Sequence, residues 1–132
     1  MRFQKTTEYA IRVMVHLAAN LNTRISVRSL SEILDIPYKY LGRLMSKLAN
    51  SGLVDAEQGV SGGYQIVKDL DMIYLYQIAE IVEGLEDYER CILGFPECSD
   101  ENSCSLHKYW ATLREDIKSM LYQTTLQDLG SD

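Results

Sequence analysis

The chain has 132 residues, 46% of them hydrophobic, and a formal net charge of −6. That length fits one domain, or one small domain with an appended arm, and that apolar fraction argues against a disordered chain. No apolar run approaches the roughly 20 residues of a membrane span, and MRFQKTTEYA lacks the unbroken apolar segment of a signal peptide, so a cytoplasmic protein with reduced thiols and no membrane partner is expected.

Thr7 precedes EYAIRVMVHLAAN, where Ala10, Val13, Met14 and Leu17 recur at helical spacing and predict a first helix. His16 lies off that stripe and is expected at the surface. ISVRSLSEILDIP reads as a short second helix with Leu30, Ile33 and Leu34 inward. Pro37 suits the first turn of a third helix, where its missing N–H is not needed. Leu41, Leu44, Met45 and Leu48 form that helix's stripe, and NSG supplies its stop. Strand-like runs over residues 53–56 and 64–67, with Gly59, Gly62 and Gly63 between them, predict a hairpin. A fourth helix is expected over residues 72–82, with Leu75, Ile78, Ala79 and Val82 on one face. The last helix opens near Ser105 and places Leu106, Trp110, Leu113, Ile117 and Met120 at alternating steps of four and three, an a/d seam. Too short to be stable alone, that seam is expected to pair with its copy in a second chain.

Three helices followed by a two-stranded hairpin is the order of a winged helix-turn-helix, with DIP as the tight turn. The expected fold is therefore mainly α, a winged helix-turn-helix with a long C-terminal dimerisation helix. It divides into a DNA-binding domain over residues 1–83, a cysteine-rich loop over 84–104, and a dimerisation helix with C-terminal tail over 105–132. Charge is unevenly spread along the chain. Residues 1–66 carry eight Lys and Arg against five Asp and Glu, a balance of +3, while residues 67–132 carry five against fourteen, a balance of −9. The basic half can approach phosphates while the acidic half faces away.

In such a module the third helix enters the major groove. With its stripe turned inward, Tyr38, Lys39, Tyr40, Arg43 and Lys47 are left to face out. Arg43 is the candidate for a base contact, because guanidinium matches the guanine O6/N7 pair. Lys39 and Lys47 suit phosphates, which position without specifying. In the wing, Gln58 and Ser61 can donate hydrogen bonds, and Gly62 with Gly63 would let the backbone come close to DNA. The competing reading is a solvated helix face beside an ordinary hairpin, since helix-turn-helix shapes also occur in proteins that touch no DNA.

All three cysteines fall in one turn-rich stretch, CILGFPECSDENSCSLH, spaced Cys91-x6-Cys98-x5-Cys104-x2-His107. Three cysteines cannot all pair within one chain, so a disulfide framework explains them poorly. Thiolates are soft ligands for zinc, Cu(I) or iron–sulfur clusters. Structural zinc sites usually use close C-x2–4-C pairs, and none is present. Loops of five and six residues suit ligands spread around a larger object, which favours a cluster over zinc and leaves inert cysteines third. Three thiolates with one weaker ligand would leave one iron labile, a useful property for a sensor.

The chain resembles the IscR/NsrR type of bacterial regulators, the Rrf-two family, over nearly its whole length. The M-R start, EYAIRVMVHLA, IPYKYLGRLMSKLANSGLV, GVSGGYQI and the three-cysteine loop all correspond. The resemblance implies a homodimeric winged-helix transcription factor in which an iron–sulfur cluster controls DNA binding. It implies Cys91, Cys98 and Cys104 as cluster ligands. Two branches of the family match at the fourth ligand. His107 occupies the place of the histidine that completes a 2Fe–2S site in IscR-like members, and Glu8 the place of the N-terminal acid that caps the cluster from the partner subunit in NsrR-like members. A 2Fe–2S cluster with His107 is favoured over 4Fe–4S. The segment between Cys91 and Cys98 is one residue longer than the family's common spacing.

The expected function is thus a regulator of a pseudo-palindromic operator that senses cluster status, oxidant or nitric oxide. A cluster-free thiol-based or zinc-binding regulator is the alternative, and an iron–sulfur electron carrier a remote one. No paired acid and base groups, phosphate-cradling glycine loop or nucleophile elbow is present, so no enzyme is expected.

Overall fold

Helix α1, Lys5–Ala18, forms because one apolar stripe recurs every three to four residues: Ala10, Val13, Met14 and Leu17 are fully buried. These and all following features belong to a computed structural model that describes residues 3–85 and 105–130. The helix starts before Thr7, with Gln4 as its N-cap, so Thr7 lies inside the first turn. Thr7 is fully buried, and among the described residues its hydroxyl is the buried side-chain polar atom without a hydrogen-bond partner. His16 is half-buried on the flank of the helix.

Helix α2, Val27–Leu34, is capped by Ser26, whose Oγ accepts from the Ser29 N–H at 3.1 Å. It buries Leu30 alone. Ile33, expected inward, is 57% exposed, and Leu34 is half-buried. The reason lies in the turn. Asp35 takes the left-handed conformation (φ 54°), which swings the chain so that Ile36 fills the core position instead. Helix α3, Tyr38–Asn50, follows with Pro37 as its N-cap, one residue ahead of the expected first-turn position. Leu41, Leu44, Met45 and Leu48 are all buried, as their spacing requires.

The hairpin is shorter than the sequence suggests and shifted. Strand β1, Asp55–Glu57, pairs antiparallel with β2, Gly63–Gln65, in the register Asp55 to Gln65, Ala56 to Tyr64 and Glu57 to Gly63. Leu53 and Val54, expected within the first strand, are core residues that lead into it, and Ile66 is buried just beyond the second. Tyr64 also bridges to Ile25, exchanging N–H···O bonds of 3.0 and 2.9 Å. The inner strand of the wing is therefore held on both sides.

The expected start of the fourth helix at Met72 is corrected too. Leu70–Met72 is a 3₁₀ turn, and α4 runs over Leu75–Val82. The Tyr74 N–H donates to Gln77 Oε1 at 2.8 Å and closes its first turn. Leu75, Ile78, Ala79 and Val82 face inward. Helix α5, His107–Gln123, packs on α4, and a short α6, Leu126–Leu129, ends the described chain. The tail folds back into the core. The Leu126 N–H donates to the Ile73 carbonyl at 2.7 Å, the Leu75 N–H to Thr124 at 3.0 Å, and Leu126 is 1% exposed. Leu126 shares one apolar cluster with the stripes of α1, α3 and α4, while Leu75 and Leu121 form a second with Phe3, Ile11 and Ile117. Each such leucine contributes about 1.5–3 kcal/mol by burial. Among the described residues no helix is long and apolar enough to cross a membrane.

Candidate nucleic-acid interface

Because the leucine stripe pins one side of α3 to the core, the opposite side is presented outward. Lys39, Arg43 and Lys47, four residues apart, lie along that exposed side, and the helix contains no acidic residue. Tyr38 (54% exposed) and Tyr40 (38%) stand on its two flanks. Each tyrosine meets a neighbouring helix. The Arg28 guanidinium of α2 lies 5.8 Å from the Tyr38 ring centroid, and the Tyr40 ring meets Tyr9 of α1 edge-on at 5.4 Å and 80°. Neither Arg28 nor Tyr9 was singled out from sequence. Arg28 belongs to the basic half, but its seat on Tyr38 depends on the turn that brings α2 and α3 together.

The wing carries Gln58 and Ser61 exposed near its tip, with Val60 fully exposed between them. Its two inner glycines have a structural reason. A Cβ on Gly62 would lie 2.2 Å from the Glu57 carbonyl oxygen, and one on Gly63 would lie 2.7 Å from the Ile25 carbonyl carbon. Gly63 also has a φ of +145°, which side-chain-bearing residues rarely adopt. The pair is thus required by the wing's own backbone, whatever approaches from outside. Arg24, which no sequence pattern marks, anchors this hairpin. Its guanidinium donates to the Asp55 carbonyl (3.1 Å), the Gly63 carbonyl (3.3 Å), the Asp55 carboxylate, and Glu57 Oε2 at 2.9 Å. This set pairs with both acids of β1 and ties the segment ahead of α2 to both strands of the wing.

Cys91, Cys98 and Cys104 lie outside the described residues, and the elements on either side define where their segment attaches. It leaves from the end of α4 and returns at α5, whose first residue is His107. His107 is 8% exposed, an uncommon burial for an imidazole. Glu8 sits half-buried in the first turn of α1, where the helix dipole favours a carboxylate, with Lys5 at 3.7 Å. Among the described residues no three His, Cys, Asp or Glu converge on one point. Three cysteines preceding a buried histidine in the sequence are a donor set whose chemistry fits an iron–sulfur cluster, with thiolates as soft ligands and an imidazole nitrogen as the borderline one.

The a/d seam of α5 divides. Trp110 is 3% exposed and Ile117 is half-buried against Leu121 and Leu75, whereas Leu106, Leu113 and Met120 are 38%, 54% and 45% exposed. Tyr109 adds to this outward set at 61%. One face of α5 packs within the chain, and an adjacent apolar stripe is left uncovered.

A family profile described as an iron-dependent transcriptional regulator, Rrf2, matches residues 3–132. The chain is 32% identical over 130 residues to the HTH-type transcriptional regulator IscR of Klebsiella pneumoniae, across 98% of this chain and 79% of that protein. Among solved structures, CymR, the global cysteine regulator of B. subtilis, aligns with a TM-score of 0.81 at 26% identity, covering 99% of this chain and 97% of that one. T. potens IscR aligns at 0.75 and 22% identity, covering 98% and 85%, a likeness of fold.

Proposed function

The chain belongs to the Rrf2 family of transcriptional regulators and is not an enzyme, and on that footing we propose that it is a homodimeric DNA-binding regulator whose operator affinity is set by an iron–sulfur cluster. The observation that carries the proposal is the order of Cys91, Cys98 and Cys104 in the sequence between α4 and α5, with His107 opening α5, in a chain whose α3 carries exposed cations and no acidic residue. Bound there, a cluster supplies iron and sulfide that oxidants and nitric oxide can attack. The remaining work belongs to the chain. Arg43 reads a base edge while Lys39 and Lys47 contact phosphates. The outward stripe Leu106, Leu113 and Met120 buries itself against a second copy, and the two-fold so formed presents two α3 helices. The operator is then a pseudo-palindrome with half-sites about one helical turn, or a small multiple, apart. Helix α4 touches α1, α3 and α5, so a displacement of α4 would reach both the reading helix and the helix that carries the outward stripe.

A cluster-free thiol-based regulator is the second reading, favoured by the structural likeness to the B. subtilis cysteine regulator. Anaerobic purification separates the two. The cluster reading expects brown protein containing iron and sulfide, lost on Cys91→Ala, Cys98→Ala or Cys104→Ala with the fold retained. It also expects holo and apo forms to differ in operator gel shifts. Colourless, iron-free protein, or equal operator affinity for both forms, would overturn it.

A further inference from the structure

We propose that the DNA interface is wider than α3 and the wing, and that cations seated on aromatic rings at both flanks of α3 clamp the phosphates on either side of the major groove. This rests on the DNA-binding reading above. On one flank Arg28 lies over Tyr38. On the other, Tyr40 meets the edge of Tyr9, and Tyr9 carries Lys5 Nζ 5.5 Å and the Arg12 guanidinium 6.0 Å from its ring centroid. The spacing of Lys5, Tyr9 and Arg12 at i, i+4 and i+7 places all three on one side of α1. That side meets α3 at the Tyr9–Tyr40 ring contact, while Ala10, Val13, Met14 and Leu17 face the core and Ile11 packs against the cluster around Leu75 and Leu121.

Two features separate these cations from ordinary surface charge. They are held against aromatic faces: among the described residues no carboxylate is paired with Arg12 or Arg28, whereas Arg24 is taken up by Asp55 and Glu57. An aromatic seat orders a long side chain while leaving its N–H groups available, which lowers the entropy lost when a phosphate is bound. They also stand beside Tyr38 and Tyr40, the two residues that bracket Lys39 on the first turn of α3, so a duplex seated on Lys39 and Arg43 brings its two backbones toward the flanks. Lys5 keeps 62% of its side chain exposed, and its 3.7 Å pair with Glu8 is loose enough to yield to a phosphate.

The test is fluorescence anisotropy of the full-length protein on a duplex of unrelated sequence, titrated over a range of salt. Each phosphate contact contributes about 0.9 to the slope of log K against log salt. Arg28→Gln should lower the slope by about one contact per protomer, and the double variant Lys5→Gln with Arg12→Gln by about two. Lys118→Gln, on α5, should leave it unchanged. Tyr9→Leu keeps an apolar group of similar reach and should weaken duplex binding several-fold by unseating Lys5 and Arg12. A wild-type protein that binds duplex steeply with salt, combined with flank variants of unaltered slope, overturns the clamp and leaves the DNA reading standing. Absence of salt-dependent duplex binding by the wild type overturns both. Unchanged melting temperatures for the Gln variants show that the slope reports contacts and not unfolding.

Discussion

Replacing Gly63 by alanine tests whether the wing is built from within. The residue has a φ of +145°, where a side chain costs ~1–3 kcal/mol of backbone strain. Its new Cβ would lie 2.7, 2.8 and 3.0 Å from the carbonyl carbon, carbonyl oxygen and nitrogen of Ile25. Those are backbone atoms and cannot rotate away. Relieving the overlap means separating the two segments, which breaks the Ile25 N–H to Tyr64 bond (3.0 Å) and its 2.9 Å return. At ~1 kcal/mol for each bond, and with ~0.5 kcal/mol returned by the stiffer unfolded chain, the variant should lose about 3–4 kcal/mol. Gly59→Ala is the control. Gly59 also has positive φ, +108°, but nothing stands within 4 Å of its Cβ, so it should lose only the strain, ~1–2 kcal/mol. Urea unfolding followed by circular dichroism measures both, and the expected gap of about 2 kcal/mol is roughly a 1 M difference in midpoint. Equal midpoints for the two variants would refute the argument that Gly63 is required by its approach to Ile25.

Leu126→Ala, in a tail that sequence alone leaves as an appendage, should cost ~2–5 kcal/mol in the same assay, because Leu126 is 1% exposed within the main core. Thr7→Val should stabilise the chain by about 1 kcal/mol, since it removes a buried hydroxyl that lacks a partner at nearly constant volume; a loss of stability would show that the hydroxyl is satisfied. Leu113→Glu places a charge in the uncovered stripe of α5, where Leu113 is 54% exposed, and sedimentation should shift from dimer to monomer with the monomer fold intact. His107→Ala should shift the visible spectrum of the cluster or destabilise it, while Glu8→Gln changes little. The reverse pattern would make Glu8 the fourth ligand.

The stripes of α1, α3 and α4 were legible in the sequence because helical period is a local property: Ala10, Val13, Met14 and Leu17, or Leu41, Leu44, Met45 and Leu48, announce their buried side without any distant partner. The same periodicity left Lys39, Arg43 and Lys47 exposed, and composition alone gathered the cysteines into one segment ahead of His107. What sequence could not supply depends on residues far apart in the chain. Ile33 lost its inward place to Ile36 because Asp35 turned left-handed under the constraint of docking α2 against α3. The first strand began later than its β-prone residues because Leu53 and Val54 were drawn into the core. Arg24 acquired its role from Asp55 and Glu57, Gly63 from Ile25, Tyr9 from Tyr40, and Leu126 from Ile73. In each case the deciding contact joins segments separated by many residues, and only the packed chain brings such segments within the few ångströms over which hydrogen bonds, ring contacts and steric exclusion act.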